Sequence, residues 1–561
     1  MSKIAIYQLL PRYFGNTGKN ILNGSIVENG CGKFNDITKE ALSSIAEMGC
    51  THIWLTGVLE HATQTDYQFI GIKADHPAIV KGKAGSPYAI KDYYDVDPDL
   101  ACNPEQRMDE FLDLLDRIHA EGLKVMIDFV PNHVARRYHS DAKPEGVRDF
   151  GVDDQKKHGF DPSNNYYYLQ DALNLSFANE NHSENPYIEN PAKVTGNDCF
   201  TSSPTKNDWY DTVKLNYGVD YPSGGAHHFD PIPATWFKML DILTYWSNLG
   251  VDGFRCDMAE MVPVSFWHWA IPRVKKNNSS IIFIAEIYQI HLYREYLDCG
   301  GFDYLYDKEG MYNTIRGIIE GRRSASDLTQ CWQQVNNLQP HLLTFLENHD
   351  EQRLASDFFA SDPKKGLPGM FVLTFYHQNP VMIYAGQELG ERGMYEEGYS
   401  GRDGRNTIFD YWSIETLVRW KNEGRWNLKL LTEDERSLRE TYQKYLKLCL
   451  SELAVVKGDF FDLQYANIDS PDYHAWNLYA FIRKYENELL IGVANFSQAE
   501  QSVSLSIPKH AFNCLSIPEM QNAEFKDLLT DTVFESSLNP FENLRFSIPG
   551  YQSRLYKVIL K

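Results

Sequence analysis

The sequence predicts an α/β fold: a (β/α)8, or TIM, barrel with an inserted subdomain after its third strand and a C-terminal antiparallel β-sandwich. Three observations lead there. Eight short apolar runs alternate with segments of helical periodicity. One connection, from Val134 to about Gly225, is too long and too polar for that rhythm. Beyond about residue 450 the runs take on the alternating pattern of antiparallel strands. The implied domains are a barrel over 1–133 and 226–449, an insertion over 134–225 and a sandwich over 450–561.

The eight candidate strands are IAIYQLL (4–10), HIWLTGV (52–58), KVMIDFV (124–130), VDGFRCD (251–257), IIFIAEI (281–287), FDYLYD (302–307), LLTFLENHD (342–350) and PVMIYAG (380–386). Between the second and third, Met108, Phe111, Leu112, Leu115 and Ile118 recur at helical spacing and Gly122 closes the helix. ATWFKMLDILTYWSNLG repeats the device before the fourth strand and ends at Gly250. The long connection is rich in Asn, Asp, Gly, Pro and Tyr. A loop of that length in a compact fold is usually functional, so it is read as a subdomain walling one side of a cleft. NLYAFIRKY, ELLIGVANF, QSVSLSI and SRLYKVIL then mark the C-terminal strands.

Composition narrows the partners. With 561 residues the chain can bury a large core and still carry accessory domains. A net charge of −22, with no block of Lys or Arg, argues against nucleic acid and anionic membranes and favours a neutral substrate. No 18-residue apolar run is present to span a bilayer, and the opening MSKIAIYQLLPRYF is broken too early by Pro11 and Arg12 for a signal peptide. Nine scattered cysteines without CxxC spacing suit reduced thiols in a cytoplasmic protein, or in an exported one whose leader has been removed. The oligomeric state is not readable.

In a barrel of this kind the chemistry collects at the carboxyl ends of the strands. The polar residues there are Asp128, Asn132 and His133 in DFVPNH, Arg255 and Asp257 in GFRCD, Glu286 in AEIY, and His349 and Asp350 in FLENHD. Three carboxylates, Asp257, Glu286 and Asp350, should therefore converge from the fourth, fifth and seventh strands, a costly arrangement unless cations or a proton offset it. Glycosidic bond cleavage needs such a set, because one carboxylate must be ionised while another stays protonated. Arg255, two residues before Asp257 and so on the same strand face, can hold Asp257 ionised; burial and neighbouring charge would raise Glu286.

In this order and at these separations, DFVPNH, GFRCDMAEM, AEIY and FLENHD resemble the four signature regions of the α-amylase family, family 13 of the glycoside hydrolases. The resemblance extends to LNYG (215–218), VMIYAGQELG and YAIKDYYDVDP, and covers nearly the whole chain. It implies a retaining mechanism on an α-linked glucan: Asp257 as nucleophile, Glu286 as general acid/base and Asp350 as the carboxylate that binds ring hydroxyls. It also implies sugar-binding roles for Arg255, His133 and His349, an aromatic platform at Tyr88, and Asp128 as a structural acid beside them.

The sequence also departs from the family pattern. Glu260 and Met261 stand where a Lys-His pair is common, and Pro87 replaces the His that often precedes the platform tyrosine. Asn132 matches a position that ligates calcium in many relatives, yet the Gly- and Asp-rich loop of another family site has no counterpart in GNTGKNILNGSIVENG. No cofactor is required by the motifs, and structural Ca2+ is left open with Asn132 as its one candidate. The implied activity is hydrolysis of α-1,4-glucosidic bonds in starch-type glucans or maltooligosaccharides. Its alternatives are transglycosylation on the same fold and, since all three carboxylates are present, far behind it a non-catalytic carbohydrate-binding relative.

Overall fold

The computed structural model describes residues 3–560 except 158 and 183. All eight predicted runs form parallel strands of one sheet: β1 Ala5–Leu9, β2 His52–Leu55, β3 Lys124–Phe129, β4 Gly253–Cys256, β5 Ile282–Ala285, β6 Tyr304–Tyr306, β7 Leu342–Leu343 and β8 Val381–Tyr384. The strands neighbour one another in chain order, β8 pairs with β1, and a parallel bridge from Thr344 to Val381 closes the barrel between β7 and β8. Strand alternation sends one set of side chains inward, where Ile6, Trp54, Met126, Ile284, Tyr306, Leu343 and Met382 pack into an apolar plug.

The outward set meets the helices. Arg107–Ala120 buries Phe111, Leu114, Leu115 and Ile118, with Met108 and Leu112 partly covered, and the chain leaves it through Gly122 at φ 75°, a left-handed conformation that glycine adopts without strain. Ala234–Asn248 buries Trp236, Met239, Ile242, Leu243 and Trp246 and likewise exits through Gly250 at φ 102°.

The segment after β3 is tied down at both ends by short antiparallel pairs. His133–Ala135 pairs with Thr212–Lys214, and Val219–Asp220 pairs with Ala226–His227. His133 is thus held by the strand that opens this segment, and 226 falls inside its closing hairpin.

At the C-terminus a six-stranded antiparallel sheet combines β9 Asp459–Asp462, β10 Leu478–Tyr485, β11 Glu488–Asn495, β13 Met520–Asp527, β14 Val533–Leu538 and β16 Ser553–Ile559. A second, two-stranded sheet pairs β12 Gln501–Leu505 with β15 Leu544–Ile548. One face of the larger sheet, through Leu478, Ile482, Leu489 and Ile491, packs with Val503, Leu505, Leu544 and Ile548 of the smaller. Its other face, through Phe481, Leu490 and Leu555, joins the barrel core. Among the described residues no helix is long and apolar enough to cross a membrane.

Candidate active site

The register of β3 and β4 sets Arg255 opposite Asp128, so one buried guanidinium sits at the centre of the barrel mouth. It is caged by aromatic rings, with its carbon 5.3 Å from the Trp54 ring, 5.5 Å from Tyr88 and 5.4 Å from Tyr306. Nη1 donates to Asp257 Oδ1 at 2.6 Å and stands 3.6 Å from Asp128 Oδ1. Nη2 lies 2.8 Å from Glu286 Oε1 but makes no aligned hydrogen bond. The two carboxylates are therefore treated unequally by the same cation.

Other contacts sharpen the difference. Burial pushes the Asp257 carboxyl above its ordinary range, and Arg255, by charge and by hydrogen bond, pulls it back. Glu286 is pushed up to about 7, first by burial, against the pull of Arg255 and with the added repulsion of Asp257 and Asp350. Its Oε1 accepts from the Tyr288 hydroxyl at 2.6 Å, and its Oε2 accepts the Met258 amide at 2.7 Å. Met258 is at φ 44°, ψ 44°, a left-handed conformation that costs a side-chain-bearing residue of order 1–3 kcal/mol and here turns its N–H toward Glu286.

The FLENHD run ends in a built turn. The Asn348 side chain accepts the amides of Asp350 and Glu351, both at 2.9 Å, while Glu347 points away into a buried pair with Arg353 at 2.9 Å. His349 is fixed by Gln8 Nε2 at 2.8 Å on Nδ1 and by the Tyr88 hydroxyl at 2.6 Å on Nε2. The Tyr88 ring stacks on it at 5.3 Å. Asp350 Oδ2 is 3.0 Å from His349 Nε2; burial opposes ionisation, but His349, Arg255 and Arg405 hold the carboxyl down to about 2. In return Asp350 outweighs the effect of burial on His349 and raises it. Asp128 accepts from Trp54 Nε1 and the Gly57 amide, both at 3.2 Å, and from the Tyr88 hydroxyl at 3.3 Å.

Asp257, Glu286, Asp350, Tyr88 and His133 thus line one cavity of about 350 Å3, with Lys81, Trp209, Asp211, Met258, Tyr288, Tyr399 and Phe409 as further walls. Arg255, His349 and Asp128 support it from beneath. His133 reaches the cavity from the inserted segment's side, 5.1 Å from the Trp209 ring; burial lowers it to about 3, so it is neutral at physiological pH. A larger groove of about 530 Å3 lies between Ser437–Tyr445 and Gly550–Arg554, far from these carboxylates.

The calcium candidate does not fit its residue. Asn132 Oδ1, the atom that would ligate a cation, accepts from the Lys214 ammonium at 2.7 Å, and its Nδ2 donates to Gly196 O at 2.7 Å. Lys214 in turn stands 2.5 Å from Asp198 Oδ1. An ammonium ion already fills the place between the amide and the carboxylate, and a divalent ion beside it would meet strong repulsion.

Several site residues escaped the sequence reading: Tyr288, Tyr399, Gln8, Tyr306, Trp54 and Lys214. Tyr288 had the only local signal, since it follows Glu286 by two residues and so repeats its direction. Glu260 gains a place as well: its Oε2 accepts the amides of Tyr288 at 3.1 Å and Gln289 at 3.2 Å, fixing the turn that presents Tyr288.

A closed eight-stranded barrel with its carboxylates gathered at the carboxyl-terminal mouth defines the chain as a (β/α)8 protein. Residues 8–225 match the model of the α-amylase catalytic domain. The chain is 24% identical over 373 residues to alpha-amylase MalA of Haloarcula japonica, a match covering 64% of this chain and 42% of that protein. It is 23% identical over 461 residues to neopullulanase 2 of Thermoactinomyces vulgaris, covering 79% and 63% respectively. It thus matches less than two thirds of the length of either relative. The fold superposes on that of a noncanonic maltogenic alpha-amylase from Thermotoga neapolitana with a TM-score of 0.62 at 19% identity, over 100% of this chain and 99% of that one. Over residues 8–225 the chain is therefore similar to the catalytic domain of the α-amylase family.

Proposed function

We propose that the protein is a retaining glycoside hydrolase that cleaves α-1,4-glucosidic bonds in starch-type glucans or maltooligosaccharides. In the first step Asp257 attacks the anomeric carbon while Glu286 gives its proton to the departing oxygen, leaving a covalent glycosyl–Asp257 ester. In the second, the Glu286 carboxylate takes a proton from water, the water oxygen bonds to the anomeric carbon, and Asp257 leaves as the free carboxylate. Asp350, kept ionised by His349, accepts hydroxyl hydrogens of the bound ring, and Tyr88 offers it an apolar face.

The observation that carries this reading is the unequal grip of Arg255. Asp257 receives an aligned hydrogen bond and is suited to attack as an anion, whereas Glu286, pushed up to about 7, still holds its proton over much of the neutral range. One guanidinium between the two also favours the retaining separation of about 5–5.5 Å over the inverting one of about 6.5–9.5 Å. The test follows anomeric proton signals during early hydrolysis of a maltooligosaccharide. New reducing ends appearing first as the α-anomer are expected; initial β-anomer refutes the roles given to Asp257 and Asp350. Products longer than the substrate in the same samples would show that sugar replaces water as acceptor.

A further inference from the structure

Away from the cavity, four carboxylates meet with too few cations to balance them. Glu60 lies in the strand Leu59–His61, and Asp92 and Asp95 in its antiparallel partner Ile90–Val96, whose register sets Glu60 opposite Asp92. Asp141 arrives from the inserted segment. One oxygen from each lies within 4.8 Å of the others. Glu60, Asp92 and Asp95 are buried and Asp141 is exposed.

The hydrogen bonds within the cluster leave one member unserved. Asp92 accepts the amides of Tyr94 at 2.8 Å and Ala142 at 3.1 Å. Asp95 accepts the Val96 amide at 2.8 Å, and its other oxygen takes both contacts of Arg107. Lys91 turns elsewhere, to Asp75 at 3.1 Å and Lys73 O at 2.6 Å. Glu60, only 1% exposed, has no hydrogen-bond partner on either oxygen and directs one of them into the cluster. A buried carboxylate without donors must take up a proton or a cation. Three more carboxylates beside it, with Arg107 serving one of them, favour the cation.

We propose that Glu60, Asp92, Asp95 and Asp141 form a binding site for a divalent cation, calcium by preference, which clamps the loop after β2 to the start of the inserted segment. The donor set is all carboxylate oxygen, with no imidazole or thiolate to select zinc or copper. Four protein carboxylates suit Ca2+, which takes 6–8 oxygens at about 2.3–2.6 Å, better than Mg2+, which keeps several of its waters. A 4.8 Å spread is about the diameter of such a calcium shell. The clamped elements bear on the active site: Tyr88 lies two residues before the start of the Ile90–Val96 strand, which packs against the His133–Ala135 strand.

The full chain, stripped with chelator, is titrated with Ca2+ by calorimetry and with Tb3+ by luminescence sensitised from nearby tyrosines. Binding of one Ca2+ equivalent and a calcium-dependent rise in thermal midpoint are expected. Glu60→Gln and Asp141→Asn should each weaken Ca2+ binding by at least about tenfold. Should Glu60→Gln not fold, the exposed Asp141→Asn decides alone. No binding by the wild type at millimolar Ca2+, or wild-type affinity in Asp141→Asn, overturns the site; Mg2+ displacing Tb3+ as readily as Ca2+ overturns the preference for calcium.

Discussion

Removing one hydroxyl, in Tyr288→Phe, probes how Glu286 is set for its proposed role. Burial, the largest influence, pushes Glu286 up, and the Tyr288 hydroxyl, donating at 2.6 Å to Oε1, pulls it down, with the balance at about 7. The donated hydrogen bond stabilises the carboxylate over the carboxylic acid, so its loss raises the pKa further. A hydrogen bond to a charged group contributes about 1.5–3 kcal/mol, and one pKa unit corresponds to about 1.36 kcal/mol, giving a ceiling of roughly one to two units. Water reaching the vacated position would recover part of this, so a shift of about one unit is expected. The observable is the alkaline limb of kcat/KM on a maltooligosaccharide, which reports ionisation in the free enzyme. A general acid is lost as it deprotonates, so wild-type activity should fall as pH rises through about 7, and the variant should fall about one unit later. An alkaline limb unmoved or shifted to lower pH would refute the assignment of that limb to Glu286.

Asp257→Asn and Glu286→Gln should each cost several orders of magnitude in turnover on glucan, with far-ultraviolet circular dichroism unchanged; near-normal hydrolysis by either would remove the proposed mechanism. On the acid side, because burial raises Asp257 above its ordinary value, activity should fall as pH drops through a limb above the usual aspartate range, and this limb should be absent from a profile governed by Asp350, which is held at about 2. Lys214→Met leaves the buried Asn132 amide without its donor and Asp198 without its cation. Since Asp198 is partly exposed, the loss should be about 1–3 kcal/mol, read as a thermal midpoint below that of the wild type at the same calcium concentration. Chelation of the wild type should leave the barrel folded and substantially active, because the contacts of Lys214 hold without a metal.

The barrel was legible because each of its strands is buried on both faces and so appears as an unbroken apolar run, while its helices repeat at 3.6 residues. The same rule failed in the C-terminal domain. Met520–Asp527 and Val533–Leu538 carry Gln, Asn, Glu, Lys and Ser and are largely solvent-facing, so their strand character comes from pairing in the sheet and not from their own composition. Leu342–Leu343 is shorter than its apolar run suggests, because the chain leaves the ladder after Thr344 and turns on Asn348 to present His349 and Asp350.

In the site, carboxylates that end a strand are visible as such, since direction follows from strand position. What modifies them is not. The left-handed backbone of Met258, the hydroxyl of Tyr288 on Glu286 and the use of Glu260 as an acceptor for two loop amides depend on how one turn meets the next. The metal reading of Asn132 turned on a lysine 82 residues further along the chain, brought to it by the pairing of His133–Ala135 with Thr212–Lys214. A motif specifies an oxygen at that place but not the cation that meets it. Here the partner strand ends in Lys214, whose ammonium carries a single charge and brings its own covalent tether. At this one contact, between Asn132 and the strand that ends in Lys214, the barrel and the inserted segment are held by the chain's own ammonium and not by an ion bound from solution.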